Sequence, residues 1–551
     1  HLQLRIALGQ CLVCVLFSSP LMAQPENPQP RRSDSVYMSW VKYEATLEKD
    51  DQQKCIGCHI DGFTEAEELA GVKDRLIAFT SKKEMLNWME FDKHAIARRR
   101  VEPLFSIRPF VDDLRLQDFE IGEKQVEKEW RAPSNILSNQ ICRKLNYKYP
   151  SFRKNCLTCH GGYSEGTNQL GFERPGEKNK LTKKPTVIRI GIYCFTCHQD
   201  PEVSDERWRK QHTNSWRNQG QLLTPDEKTA TGLHDLTSMS KQAALCMDCH
   251  VGNKQKGMFV THEMYVAGHP PLPPFELETF CDAMPKHWKS PEEVHDTLES
   301  NRLVLNDYFA KNYGPLSTSE EKKEEPIVPS EQMWNTQKVL VGALVARQKT
   351  LGLYQSDAFP DFATFDCSAC HHELRTGSLR QQRQAIGNPG RPRESEWQFV
   401  LLNEAYGMAT LTGSVHDDNL FDHFASRPFG DLVHIRESSK DWVTSVDTNS
   451  LDRAKITRSK ALSVFHQLLN KPEDELITYD SARQLIWALQ SIAKDFKGRR
   501  EIPHELVKKL KSPAVSTVLG DIPSTQDWEI FPAHVRKDLN QRPKFDVSQL
   551  G

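Results

Sequence analysis

Five pentapeptides in this chain repeat one pattern: Cys55-Ile-Gly-Cys58-His59, Cys156-Leu-Thr-Cys159-His160, Cys194-Phe-Thr-Cys197-His198, Cys246-Met-Asp-Cys249-His250 and Cys367-Ser-Ala-Cys370-His371. Two thiols followed directly by an imidazole, Cys-x-x-Cys-His, is the spacing for covalent c-type haem attachment. The thiols form thioethers to the porphyrin vinyl groups and the imidazole binds iron. A structural zinc site or a thioredoxin-like dithiol also uses Cys-x-x-Cys. Zinc has no need of a histidine after every second cysteine, however, and a redox pair occurs once, in a βαβ context. An internal control stands near the N-terminus, where Cys11 and Cys14 share the spacing but Val15 comes next. That copy lacks an iron ligand and is expected to carry no haem.

The five motifs assign the proximal ligands as His59, His160, His198, His250 and His371. The sixth iron position decides function, because a second histidine makes an electron carrier whereas an open position admits a substrate. Fifteen of the 20 histidines remain for that role or for none. His94 in "WMEFDKHAIARR" and His212 in "RWRKQHTNSWR" lie in helix-like stretches with tryptophan nearby, and His234 in "TGLHDLTSM" shortly precedes the fourth motif. In "THEMYVAGHPPLPPFE", Pro270 biases His269 away from helix and Pro271, Pro273 and Pro274 stiffen the adjoining loop, so a ligand there loses less entropy on binding iron. His262 opens the same stretch. These five are the candidate distal ligands. His287 and His295 are candidates for the fifth haem, with simple exposure as the alternative. His372 adjoins His371 and cannot swing over the same iron. Arg375, Arg380, Arg383, Arg391 and Arg393 flank the fifth motif and suit propionates, or else form a solvated basic loop.

The elements that must position these groups read as mainly helix and loop, with no long alternating strand pattern. Residues 1–23 read as a secretory signal, with Arg5 before a largely apolar run from Ile6 to Phe17. Export agrees with covalent haem and points to the periplasm. Residues 24–40 form a proline-rich leader, 41–316 a four-haem region, 317–329 a charged linker, 330–396 the fifth-haem segment and 397–551 a haem-free helical region. An amphipathic helix is expected from Glu331 to Leu351. Leu485, Leu489, Ile492 and Phe496 make a helical stripe, read as core, with Gly498 as a C-cap. Cys142 and Cys281 are left over, either as a disulfide or as two buried thiols.

Only 38% of the 551 residues are hydrophobic, so haems are expected to replace much of the side-chain core. A net charge of −2 gives no argument for a nucleic-acid partner, and no later segment reads as a membrane span.

The stretch "AALCMDCHVG…THEMYVAGHPPLPPFELE" resembles the cytochrome c-554 family of multihaem cytochromes, related in haem packing to hydroxylamine oxidoreductase and pentahaem nitrite reductase. The resemblance is strongest over about residues 150–276, weaker at His94 and at "FDCSACHHELR", and does not cover the tail. It implies stacked haems, mostly with two histidines each, passing electrons between periplasmic redox partners, with His269, His234 and His212 at distal positions. The fifth motif and the long tail depart from that pattern. Two other functions compete. One is an enzyme acting on nitrite, hydroxylamine or a similar small nitrogen compound at one open haem; the resemblance argues against it, since no Cys-x-x-Cys-Lys occurs, and Tyr193 and Tyr265 near the motifs are read as ordinary packing. The other is a subunit of a larger redox complex, docked through the tail.

Overall fold

The computed structural model describes residues 84, 87–88, 92–97, 101, 136–161, 172–178, 185–188, 192, 194–199, 223–313, 332–355, 361–371, 393–407, 432–452, 454–471, 478–497 and 502. The signal, the leader, the first haem motif, His212, Tyr193, the 317–329 linker, His372 and Gly498 lie outside them.

In chain order the elements are α1 (Ile136–Lys144), a helical rod over Tyr149–Phe152, Arg153–Leu157 and Thr158–His160, β1 (Phe172–Lys178), β2 (Pro185–Ile188), α2 (Cys194–His198), α3 (Pro225–Thr231), α4 (Met239–His250), α5 (His262–Ala267), α6 (Leu277–Ala283), α7 (Pro291–Leu298) and α8 (Arg302–Tyr313). After these come α9 (Trp334–Tyr354), α10 (Cys367–Cys370), α11 (Leu402–Tyr406), α12 (Leu432–Ser445), α13 (Thr448–Asp452), α14 (Arg458–Leu469) and α15 (Tyr479–Lys494). The fold is mainly α with loops. An antiparallel hairpin adds to what the sequence pattern suggested: Phe172 pairs with Ile188 and Glu173 with Val187, and the register shifts between Arg174 and Lys178. Pro175 and Gly176 fall in that irregular stretch, which is where a strand tolerates them. Among the described residues no helix is long and apolar enough to cross a membrane.

Local signals start and stop the helices. Thr224 and Glu227 form a capping box ahead of α3, Pro225 occupies its first turn, and Gly232 ends it at φ 88°. Ser290 and Glu293 repeat the box at α7, again with proline in the first turn.

The core is organised around α9. Its Val339, Leu340, Val341, Leu344, Val345 and Leu351 are each at most 1% exposed, and α4, α6, α11, α12, α13 and α15 pack around it. The expected amphipathic helix is therefore buried on nearly every side, its polar Gln337 and Arg347 included. Helices from the tail cover the side that a half-solvated helix would present to water. Each fully buried large apolar side chain contributes roughly 1.5–3 kcal/mol, so this helix is the main attachment of the tail to the haem-motif region. Gly342 permits the close approach of α6, since a Cβ there would lie 2.9 Å from Leu277 Cβ.

The tail also caps helices it does not belong to. Asp495 accepts hydrogen bonds from Asn335 N at 3.1 Å and Thr336 N at 2.8 Å, at the start of α9. Asp452 accepts from Ser240 N at 2.9 Å and from Ser240 Oγ at 2.6 Å, at the start of α4. Leu485, Leu489, Ile492 and Phe496 of the expected stripe are all buried, as are Ile486, Trp487 and Ala488 between them.

Candidate haem-binding site

Helix α4 shows why the motif spacing works. Cys246 and Cys249 stand three residues apart and His250 four after Cys246, so all three share one face of the last turn. Ser238 starts the helix by accepting from Lys241 N. The second motif lies on the helical rod, where a π turn over Arg153–Leu157 carries the first cysteine. Thr158 Oγ1 donates to Lys154 O and to Gly257 O, both at 3.2 Å, tying this motif to the loop after α4. The third motif is the whole of α2.

The thiols of these three motifs converge. Cys159 and Cys249 are hydrogen-bonded to each other, and Cys197 lies close enough to Cys246 to act on it electrostatically. Burial pushes Cys197 up to about 12 and Cys246 well above the ordinary thiol range. Cys142 is buried and hydrogen-bonded to Cys156, whereas Cys281 is buried close to Lys338 and Glu278; both are free thiols, not a disulfide.

Three candidate distal histidines are oriented in the same way. His94 Nδ1 bonds Asp92 Oδ1 at 2.9 Å, His234 Nδ1 bonds Cys197 O at 2.9 Å, and His269 Nδ1 bonds Pro270 O at 2.8 Å. A carbonyl or an ionised carboxylate only accepts, so each Nδ1 carries a proton and Nε2 is the ring nitrogen left to face a metal. That is the second-shell arrangement of a metal-binding imidazole. Asp92 also caps the 3-10 turn Lys93–Ile96 by accepting from His94 N at 2.8 Å. Burial alone would push its carboxyl up, but His94 holds it below the usual value. His94 O accepts from Ile192 N at 2.9 Å, which brings the turn to the third motif.

Two histidine pairs are spaced for an iron between them. The rings of His94 and His250 have centres 6.2 Å apart with planes at 88°, and those of His262 and His371 are 6.2 Å apart with planes at 24°. Metal–nitrogen bonds of about 2 Å and a further ~1.1 Å from nitrogen to ring centre on each side put two axial imidazole centres about 6 Å apart. The ring-centre separation in both pairs is therefore that of two axial imidazoles on one haem iron. His250 is also walled by Phe275 at 5.3 Å and Phe280 at 5.1 Å, and Phe280 rests on Trp487 of the tail. Burial, with His94 and His160 nearby, pushes His250 down to about 3, keeping it neutral as a ligand must be.

The loop that holds His269 is built from both ends. Gly268 ends α5 at φ 122°, and His269 N donates to Met264 O at 2.8 Å. The Tyr265 hydroxyl accepts from Leu272 N at 3.4 Å, a packing role consistent with burial that pushes its pKa up. At the far end, Gln484 Nε2 donates to Phe275 O at 3.1 Å and Ser491 Oγ to Glu276 Oε2 at 2.8 Å. Helix α15 thus braces the proline loop.

The fifth motif lies elsewhere. His287 Nδ1 bonds Pro285 O at 3.1 Å, on the Asp92 side, while His295 bonds exposed Asp296. Neither is drawn beside His371; His262 is. Arg393 pairs with Glu396 at 3.1 Å, and the other flanking arginines lie outside the described residues. Sequence reasoning missed Asp92, Asp361, Gln484 and Ser491. Only the aspartates left a signal, each standing just ahead of a short helical turn.

Thiol pairs on one helical face, each followed by an imidazole, are the attachment pattern for c-type haem. Residues 193–268 match the family model described as "Cytochrome c554 and c-prime", a span holding the third and fourth motifs, His234 and His262. This stretch is similar to cytochrome c554, a family that binds haem c covalently. Neither the curated proteins nor the solved structures compared with it give a match.

Proposed function

We propose that this chain is an exported five-haem cytochrome that passes electrons between redox partner proteins in the periplasm through mostly bis-histidine haems. The observation that carries the reading is the pairing of imidazoles, with ring centres 6.2 Å apart at His94–His250 and again at His262–His371. Bound haem supplies a one-electron couple whose potential follows axial ligands and burial. The chain's own residues do the rest. Carbonyls and Asp92 hold the imidazoles in one tautomer, and Phe275 and Phe280 keep water from His250. The tail acts as a brace, with its apolar stripe turned into the core; this favours a scaffold role over docking to a partner.

The test is haem content by mass alongside EPR of the oxidised protein, before and after adding nitrite or hydroxylamine. Five haems with only low-spin signals that ignore both additives is the expected result. A high-spin signal that shifts with an additive would replace the relay with an enzyme acting on a small nitrogen compound.

A further inference from the structure

We infer that the fifth haem is a closed bis-histidine centre, with His262 as its distal ligand and Asp361 holding the two ligands in register. The inference rests on the haem reading above and deepens it at one site. His262 is the first residue of α5 and His371 comes directly after α10, yet their ring centres lie 6.2 Å apart and their planes within 24°. One carboxylate explains the juxtaposition. Asp361 Oδ1 accepts from His262 N at 2.8 Å and from Ala363 N at 2.9 Å. It therefore fixes the first residue of α5 and caps the turn Phe362–Thr364 that leads into Cys367. Phe362 sets its ring 5.7 Å from that of His262, and buried Phe365 lies behind it. Seven residues after His262, His269 leaves α5 half-buried beside Tyr265. One short helix thus carries two ligand candidates and joins the fifth motif to the braced proline loop.

The test uses the full-length, haem-loaded protein. His262→Ala is expected to keep five haems by mass while one fifth of the iron turns high-spin and returns to low-spin with added imidazole. His262→Met is expected to stay low-spin, gain a sulfur-to-iron absorption band and move one of five potentials upward, as methionine ligation does. In a Cys367→Ala/Cys370→Ala background, which should lose one haem, His262→Ala should add no high-spin iron. Wholly low-spin iron in five-haem His262→Ala, or a high-spin signal that persists in that background, overturns the ligand assignment alone. If Cys367→Ala/Cys370→Ala costs no haem, the five-haem reading falls with it. Should His262→Ala fail to accumulate, the methionine variant decides by the presence or absence of its sulfur band.

Discussion

Removing one partner of the buried Arg347–Glu394 pair should destabilise the protein far more than neutralising both. Arg347 Nη1 donates to Glu394 Oε1 at 2.6 Å and Nη2 to Oε2 at 3.4 Å, with side chains 2% and 0% exposed. The guanidinium also lies 4.6 Å from the centre of the Phe399 ring, and Gln398 Oε1 accepts from Nη1 at 3.4 Å. Arg347→Met keeps the apolar stem but strands a carboxylate in the core. Glu394→Gln keeps an acceptor near the guanidinium but leaves its charge in the core without a carboxylate to balance it. Each single change should cost about 3–5 kcal/mol, a large share of a typical total of roughly 5–15 kcal/mol. In the double variant no unbalanced charge remains at the pair, so its stability should lie within about 1 kcal/mol of wild type. The coupling between the two sites is then several kcal/mol. Urea unfolding of the haem-loaded protein by far-UV circular dichroism measures it, with the m-value checked for constancy. Because Phe365 bridges to Glu394 and Asp366 N donates to Arg393 O at 2.8 Å, the singles should also raise high-spin iron at the fifth motif. A double variant as unstable as the sum of the singles, or an Arg347→Met cost below ~0.5 kcal/mol, refutes the reasoning.

Asp361→Ala removes an acceptor from two backbone donors and should weaken the fifth centre by about 1–3 kcal/mol, seen as temperature-dependent high-spin iron that Asp361→Asn largely restores; equal behaviour of the two variants would argue against register control. Deleting residues 397–551 strips the cover from α9 and the Trp487 support from Phe280, so no soluble protein with a full haem complement should be recovered; recovery of one would show that the tail is dispensable. Gly342→Val forces α6 away from α9 and should cost at least about 1–3 kcal/mol, with a lowered unfolding midpoint as the readout. Burial pushes the Asp495 carboxyl up despite its bonds from Thr336 and Asn335. Its folded value exceeds the unfolded value of about 3.9, so its contribution is most favourable below that value and is lost as pH rises through the folded value. Asp495→Asn should flatten that part of the stability curve, and a variant curve parallel to wild type from about pH 4 to 7 contradicts this.

The sequence by itself determined the chemistry of attachment. Cys-x-x-Cys-His places two thiols and an imidazole on one face of a single helical turn, so the spacing carries its own geometry and needs no distant partner. Capping boxes at Thr224 and Ser290, and the break that Gly268 and Pro270 make after α5, are local for the same reason. Tertiary structure alone decided which imidazoles face one another. His262 meets His371 because Asp361 bonds its backbone across the fold, and His287 and His295, equally plausible as residue types, are held elsewhere by their own helices and turns. The character of α9 was also hidden. An amphipathic helix was expected there, yet its polar Gln337 and Arg347 are buried and bond Ala454 O and Glu394 inside the core. A residue's neighbours in the chain fix its local conformation, but whether a polar side chain meets water, a counter-charge or a metal depends on which segments the hydrophobic core brings together.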